Sequence, residues 1–482
     1  MNDAGDLVRD PAARRGATHP IGEDAVAIAH NVRSGAVTPI EVVESFQTRI
    51  EALNPLLNAI VDYDPAEGQR QAADVERRLA QGEFLPLAGV PVVVKDVLWV
   101  GGRRITQGSN LFRDFKPPRD ALCVERLRAA GAIILGIGNS SEFACKGHTT
   151  NLVYGPTRHP LNPKLTPGGS SGGSSAAVAA DMAPLALGTD AGGSARRPPA
   201  HVGVVGFKPS RGAIADVNGF PSVAADVDTI APIARNVADV TALFGVIVGA
   251  DPRDPCSMPL GPPDVRPSRA LRIAFSPRFG HDAAIDKDVA EAVGQAIERL
   301  RAAGWSILEA DPVWPDGATE EAIMPIQQAA IATLYGDRWR RDPTLFDPDI
   351  GRLIESGLAC SGVALAQARF MSGAIARALA AFFGQWDLLI GPTTPCVAWP
   401  IGQLAPDQIG GRPTTGRGHA VFTPFINHAL APAASIPCGA GRDGLPVGLQ
   451  IVGPRNADER VLRAAAAIED ALGPAARPWR RA

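Results

Sequence analysis

The sequence predicts an α/β fold, and three observations predict it. Apolar runs of strand length alternate with helical segments: 87–96, a helix over 120–130 closed by Gly131, then 132–138. The same order returns as 271–275, a helix over 286–303 and 305–308. Finally, 482 residues with 45% hydrophobic content and a mean hydropathy of +0.03 are ample for a large core under a water-compatible surface.

Taken in order, residues 1–20 are polar and expected to be disordered. A helix over 23–34 stops at Gly35. A second opens at Thr38-Pro39-Ile40-Glu41, a capping box with proline at the first helical position. Its apolar face is Ile40, Val43, Phe46, Ile50 and Leu53, and Asn54-Pro55 is expected to end it. A third helix runs from Asp64-Pro65 to Gly82. These make an N-terminal helical layer over 21–83. Asn236 caps a helix to about 248, and a proline-rich surface crossing follows at 251–270. Helices over 319–341 and 362–384 lead to a buried run at 387–392. A strand at 445–452 precedes a last helix, with Asn456 and Glu459 as a second capping-box pattern.

Composition excludes several function classes. Net charge is −3, from 47 basic and 50 acidic residues with no long basic run, so neither nucleic acid nor an anionic membrane is an expected partner. The two nearest of six cysteines, Cys123 and Cys145, stand 22 positions apart, so there is no C-x-x-C and no zinc spacing. The eight histidines form no H-x-x-x-H pattern, and no metal or cofactor is expected. Scattered thiols fit a reducing compartment. The N-terminus lacks an apolar signal region and no run of 18 apolar residues exists, so the expected location is cytoplasmic.

The chemistry concentrates in 166–198. Two glycine-flanked serine clusters, Gly168-Gly169-Ser170-Ser171-Gly172-Gly173 and Asp190-Ala191-Gly192-Gly193-Ser194, bracket an apolar, alanine-rich stretch. Glycine lets the backbone approach a ligand, and successive N–H groups make an anion nest. A serine beside such a nest has both a nucleophile and a place for the oxyanion it creates. A P-loop is excluded because the lysine is missing. The G-x-S-x-G elbow at 169–173 needs a preceding strand, and Pro156, Pro160, Pro163 and Pro167 rule one out. Gly136-Ile137-Gly138 lacks the third glycine of a dinucleotide fingerprint. Lys95 ends the buried run Val92-Val93-Val94. Only six of 47 basic residues are lysine, and lysine, unlike arginine, loses its proton when desolvated.

In order along the chain, GVPVVVKD, TPGGSSGGSSAAVAA, LGTDAGGSARRP, GVVGFKPS, DLLIGPTTP and LPVGLQIVGP resemble the amidase signature family of C–N hydrolases. The resemblance implies a large mixed, twisted β-sheet with helices on both faces, as one domain over 21–482. Its catalytic core would be 84–250 and its C-terminal part 271–482. It implies a Ser–Ser–Lys set with Ser194 as nucleophile, Ser170 as the bridge through a cis peptide, and Lys95 as base. N–H groups of Ala191, Gly192, Gly193 and Ser194 would form the oxyanion hole, with Ser171, Asp190 and Arg196 supporting. No cofactor is implied; the substrate would be a small amide, ester, anilide or carbamate, and the protein a monomer or homodimer.

The chain departs from the family pattern at Ala195, Pro199 and His159, and at His428, where asparagine of N-x-x-G-x-P-A is expected. Pocket walls are expected at 140–155, 208–225, 320–345 and 396–430. Ile323, Met324, Ile326, Leu334, Tyr335, Trp339, Trp399, Phe422 and Phe425 are the apolar candidates there. Two alternatives remain. One is the glutaminase subunit of a tRNA-dependent amidotransferase, whose S-x-x-D-G-x-R-Y-G loop is replaced here by residues 328–336. The other is a non-catalytic binding protein on the same fold.

Overall fold

A computed structural model of the chain describes residues 20–224, 226–261 and 266–473. The disorder expected for 1–20 therefore falls, apart from Pro20, outside the described residues. Helix α1 (Ala25–Arg33) is followed by α2 (Pro39–Leu57), which begins with the expected reciprocal cap. The Glu41 N–H donates to Thr38 Oγ1, and the Thr38 N–H donates to the Glu41 carboxylate. Val43, Phe46, Ile50 and Leu53 are buried as read, while Val42 rather than Ile40 completes the face.

The end of α2 differs from expectation. The helix runs through Pro55 to Leu57, and Asn58 closes it at φ 48°. Asn54 holds the exit by accepting the Ala59 and Ile60 N–H groups and donating to Ile60 O, so the proline in the last turn is tolerated. Strand β1 (Ile60–Tyr63) and α3 (Pro65–Ala80), capped by Asp64, complete the N-terminal layer.

The core follows as β2 (Pro91–Lys95), α4 (Leu122–Ala129), β3 (Ile133–Gly138), α5 (Gly172–Ala179), β4 (Leu185–Thr189), α6 (Arg197–Val202), β5 (Val205–Lys208), β6 (Ile230–Ala234) and α7 (Val237–Ile247). The described part of 251–270 forms no longer element than one short 3-10 turn. Then come β7 (Ile273–Phe275), α8 (Lys287–Ala302), β8 (Ile307–Glu309), α9 (Glu320–Arg341), α10 (Pro348–Leu358), α11 (Gly362–Phe382) and β9 (Leu388–Pro392). A two-stranded ribbon, β10 (Gln408–Ile409) with β11 (Arg412–Pro413), leads to α12 (Pro424–His428), β12 (Ala433–Ala440), β13 (Pro446–Val452) and α13 (Asp458–Leu472). The second capping box does not form. Asn456 takes φ 67° and Asp458 accepts the Ser210 N–H, so α13 starts two residues late without a side-chain cap.

Eleven strands form one mixed sheet in the order β1-β3-β2-β4-β6-β5-β12-β13-β9-β7-β8. Pairing is parallel in β3-β2-β4 and β9-β7-β8, and antiparallel through the centre. Helices cover both faces: α5 and α6 pack on each other and on central strands, while α7, α8 and α13 pack as a second layer. Strand β2, buried along its whole length, is flanked by β3 and β4. That arrangement brings the ends of β2 and β4 and the start of α5 to one place.

Gly173 marks how closely these elements approach. A Cβ there would lie 2.3 Å from Asn139 N and 2.6 Å from Ala59 O, both backbone atoms that cannot swing away. Gly173→Ala should therefore lose about 3 kcal/mol in urea unfolding. Gly294→Ala, on α8 with open space at its Cβ, should instead gain about 0.5–1 kcal/mol.

Candidate active site

Lys95 ends β2 with its side chain fully buried. Its Nζ donates to Ser170 Oγ at 2.7 Å and to Thr189 Oγ1 at 2.8 Å. Burial strips water from the ammonium and lowers its pKa to about 8, against the opposing pull of Asp228 and Asp190. Neither carboxylate stands near Lys95 in the sequence; both reach it only through the fold. Asp96, its sequence neighbour, turns away, as strand alternation requires, and accepts the Thr106 and Gly108 N–H groups.

The first serine cluster is held from several sides. The Gly169–Ser170 peptide is cis. Thr149 Oγ1 donates to Gly168 O at 2.9 Å and accepts the Gly172 N–H at 3.0 Å. Ser171 precedes α5, and its Oγ donates to Thr189 O at 3.3 Å. Ser194 belongs to the second cluster. Its Oγ makes no hydrogen bond within the described residues, and with Ser170 it lines a common cavity. In this conformation the two serine hydroxyls are neighbours across that cavity rather than hydrogen-bonded partners.

The second cluster is built on Asp190, the residue after β4. Asp190 Oδ1 accepts the Gly193 N–H at 2.7 Å, and Oδ2 accepts the Ala195 N–H at 3.1 Å. Arg196 grips both oxygens, Nε to Oδ2 at 3.0 Å and Nη2 to Oδ1 at 2.9 Å. Burial alone would raise the Asp190 pKa. The Arg196 charge and these hydrogen bonds overcome it and hold the carboxyl well below the usual carboxylate range. Arg196 in turn donates to Gln450 Oε1 at 2.6 Å and to Thr423 O. Asn427 Nδ2 donates to Asp190 Oδ1 at 2.8 Å, and Thr423 Oγ1 to Gly192 O at 2.7 Å.

Two expectations change here. The Gly193 N–H is taken by Asp190, which leaves the N–H groups of Ala191, Gly192 and Ser194 without an acceptor among the described residues. The N-x-x-G-x-P-A pattern begins at Asn427, one residue earlier than expected, and the asparagine is present. The true departure is Leu430 in the glycine position, where it takes φ 58°. Thr189, Thr423, Asn427 and Gln450 join the site without having been singled out from sequence. Only Thr189 leaves a local signal, as the polar residue between an apolar strand and Asp190.

The Amidase family model matches residues 41–462. The chain belongs to the amidase signature family. It is 36% identical to the A subunit of glutamyl-tRNA(Gln) amidotransferase from Salinispora tropica, with 93% of this chain and 97% of that protein covered. It is also 36% identical to the same-named protein of Thermus thermophilus, covering 92% and 97%. Among solved structures it resembles a bacterial aryl acylamidase at TM-score 0.87, with 28% identity and 95% and 97% coverage. The corresponding amidotransferase subunit from Thermotoga maritima superposes at TM-score 0.73, with 27% identity and 90% and 91% coverage.

Two cavities meet at Ser194. One, of about 70 Å³, includes Ser170, Thr189, Phe220, Asp216 and Asp228. The other, of about 60 Å³, includes Gly192, Arg197, Ile323, Met324, Ile326 and Gln327. Of the apolar wall expected for an amidase signature pocket, only Ile323, Met324 and Ile326 line them. Tyr335 and Trp339 pack with Phe143 and Phe346, and Trp399, Phe422 and Phe425 lie in other apolar clusters. Tyr335 and Trp339 pack as core because α9 and α10 bury their shared face there. A larger cavity of about 890 Å³ beside His281 and Trp314 contains none of the site residues. Among the described residues, no group of three or more His, Cys, Asp or Glu side chains is arranged to hold a metal ion.

The Asp190–Arg196 pair is fully buried, so removing one charge strands the other. Asp190→Asn should lower stability by about 3–5 kcal/mol in chemical denaturation.

Proposed function

We propose that this chain is a serine amidase that cleaves C–N bonds through an acyl-enzyme, with Ser194 as nucleophile. The observation that carries the reading is Lys95 Nζ, buried and hydrogen-bonded to Ser170 Oγ, while Ser170 and Ser194 line one cavity. Ser194 Oγ attacks the amide carbonyl carbon and passes its proton to Ser170 Oγ as Ser170 passes its own to neutral Lys95. The N–H groups of Ala191, Gly192 and Ser194 receive the oxyanion. As the tetrahedral intermediate collapses the C–N bond breaks, and the proton returns from Lys95 through Ser170 to the leaving nitrogen. Water then attacks the acyl-enzyme with the same relay.

The named relatives support a second reading more directly: the glutaminase subunit of a tRNA-dependent amidotransferase. Both readings share the amide-cleaving step and differ in substrate and partner. Two observations support the free amidase. The aryl acylamidase superposes better than the amidotransferase structure, and residues 328–336 lie within α9 in place of the S-x-x-D-G-x-R-Y-G loop. A panel of alkyl amides, anilides, aryl carbamates and glutamine separates the readings. The amidase reading expects turnover of a non-glutamine amide by the chain alone. Glutamine hydrolysis that needs an added partner protein would establish the second reading.

Ser194→Ala should reduce kcat/KM by roughly 10⁴-fold or more while the thermal transition persists. Lys95→Arg should be as damaging as Lys95→Ala, since arginine keeps the charge but cannot accept a proton.

The pH profile has a definite sign. Below about 8 Lys95 is protonated and cannot act as base, so kcat/KM should rise with pH through about 8. Burial lowers His148, His159 and His428 to about 4 and His201 to about 3, so none titrates in that window. Initial rates at low substrate concentration from pH 6 to 10 check this. The limb should survive single replacement of each histidine.

A further inference from the structure

The two cavities that meet at Ser194 differ in charge, and one carries a cation that forms no ion pair among the described residues. The smaller cavity is lined by Lys146, Arg197, Glu320 and Arg417. Lys146 is paired with Asp347 and Arg417 with Glu320. Arg197 is 5% exposed, and no carboxylate among the described residues lies within ion-pairing distance of it. Its side chain makes no hydrogen bond there, and its Nε is enclosed without any partner. The contrast with Arg196 is plain, for that guanidinium is held by Asp190, Thr423, Asn427 and Gln450.

Neither fold nor catalysis explains Arg197. Arginine keeps its charge at neutral pH, and burying a charge without a partner is costly. Burial and the nearby Arg417 lower its pKa only to about 10, against the pull of Glu320 and Asp190, neither of which pairs with it. Its position is close to the reacting centre, since a Cβ on Gly193 would come within 2.8 Å of Arg197 Nε. The guanidinium thus lies against the turn that carries Ser194, and it lines the cavity into which one substituent of a bound amide must extend. Because Arg197 lies against that turn, a group bonded to it is separated from the carbon that Ser194 attacks by only a few bonds.

We propose that Arg197 docks a carboxylate carried by the substrate, which makes the preferred substrates short amides bearing a carboxylate a few bonds from the scissile C–N bond. A guanidinium offers a carboxylate two parallel N–H donors, so it fixes orientation as well as charge. The inference deepens the amidase reading and rests on it. Ile323, Met324 and Ile326 would then flank the short spacer between amide and carboxylate.

The test uses succinamate and succinamide, which differ by a carboxylate against a carboxamide. The wild-type protein should prefer succinamate by roughly 100-fold in kcat/KM, mainly through KM. Arg197→Gln should bring that ratio to near 1, and Arg197→Lys should restore part of it. A binding measurement independent of turnover uses succinate as probe on the Ser194→Ala protein, by calorimetry. Binding should be present, and lost when Arg197→Gln is added. A wild-type preference for succinamide would overturn the proposal, as would equal losses on both substrates or succinate binding that survives Arg197→Gln. Succinamide turnover that depends on Ser194 but shows no preference for succinamate would sink the Arg197 proposal and leave the amidase reading standing. Succinate binding that depends on Arg197, with neither amide turned over, would do the reverse.

Discussion

A lysine amine with no access to water, at the end of a fully buried strand, sets the terms for the rest of the structure. Desolvation of the charged form is the dominant influence on Lys95, and only two hydroxyls, of Ser170 and Thr189, meet its nitrogen. Hydroxyls can both donate and accept, so they serve the neutral amine as well as the ammonium. A carboxylate in direct contact would have favoured the ammonium and held the proton on Lys95. Asp190 and Asp228 act only from a distance, and the pKa settles near 8 rather than lower. The parallel pairing of β2 with β4 makes this possible, because it sets Thr189 and Lys95 at the C-terminal ends of adjacent strands.

The charges needed nearby are balanced within the core. Asp190 must hold the turn that presents Ser194, and it stays ionised because Arg196 and Asn427 face it. Arg196 in turn reaches Gln450 on β13 and Thr423 just before α12, residues more than 220 positions away. The antiparallel centre of the sheet is what brings these C-terminal segments to the N-terminal half. Because Arg196 lies between them, its environment couples the two halves of the chain electrostatically. Its neighbour Arg197 has none of these partners and opens instead onto the cavity.

The site is more legible in the sequence than the sheet around it. Lys95, Ser170, Ser194 and Asp190 stand in short motifs whose chemistry is local. Arg197 has no local signature, since its meaning depends on which carboxylates the fold keeps away from it. Strand β6 escapes a sequence reading because IAPIA contains Pro232. The proline is tolerated because β5 pairs with β6 only at Ile233 and Ala234. Strand β12 hides Pro437 at a bulge in the same way. Helix α10 carries Gly351 and Gly357, which lower its helical signal; each lets α9 approach, at Trp339 and at Gln328 O. In all three, tertiary packing overrides the local preference that a sequence reading can use.

The most direct measurement follows the Lys95 amine itself. With only six lysines in the chain, side-chain nitrogen labelling gives a spectrum simple enough to assign. Lys208 is also buried and lowered, to about 7, so Lys95→Met supplies the assignment. Lys95 Nζ is expected to titrate near 8, well below the ~10.4 of a solvated lysine. A resonance lost in Lys95→Met that titrates at or above ~10 would contradict it, because the amine could not then serve as a base near neutral pH.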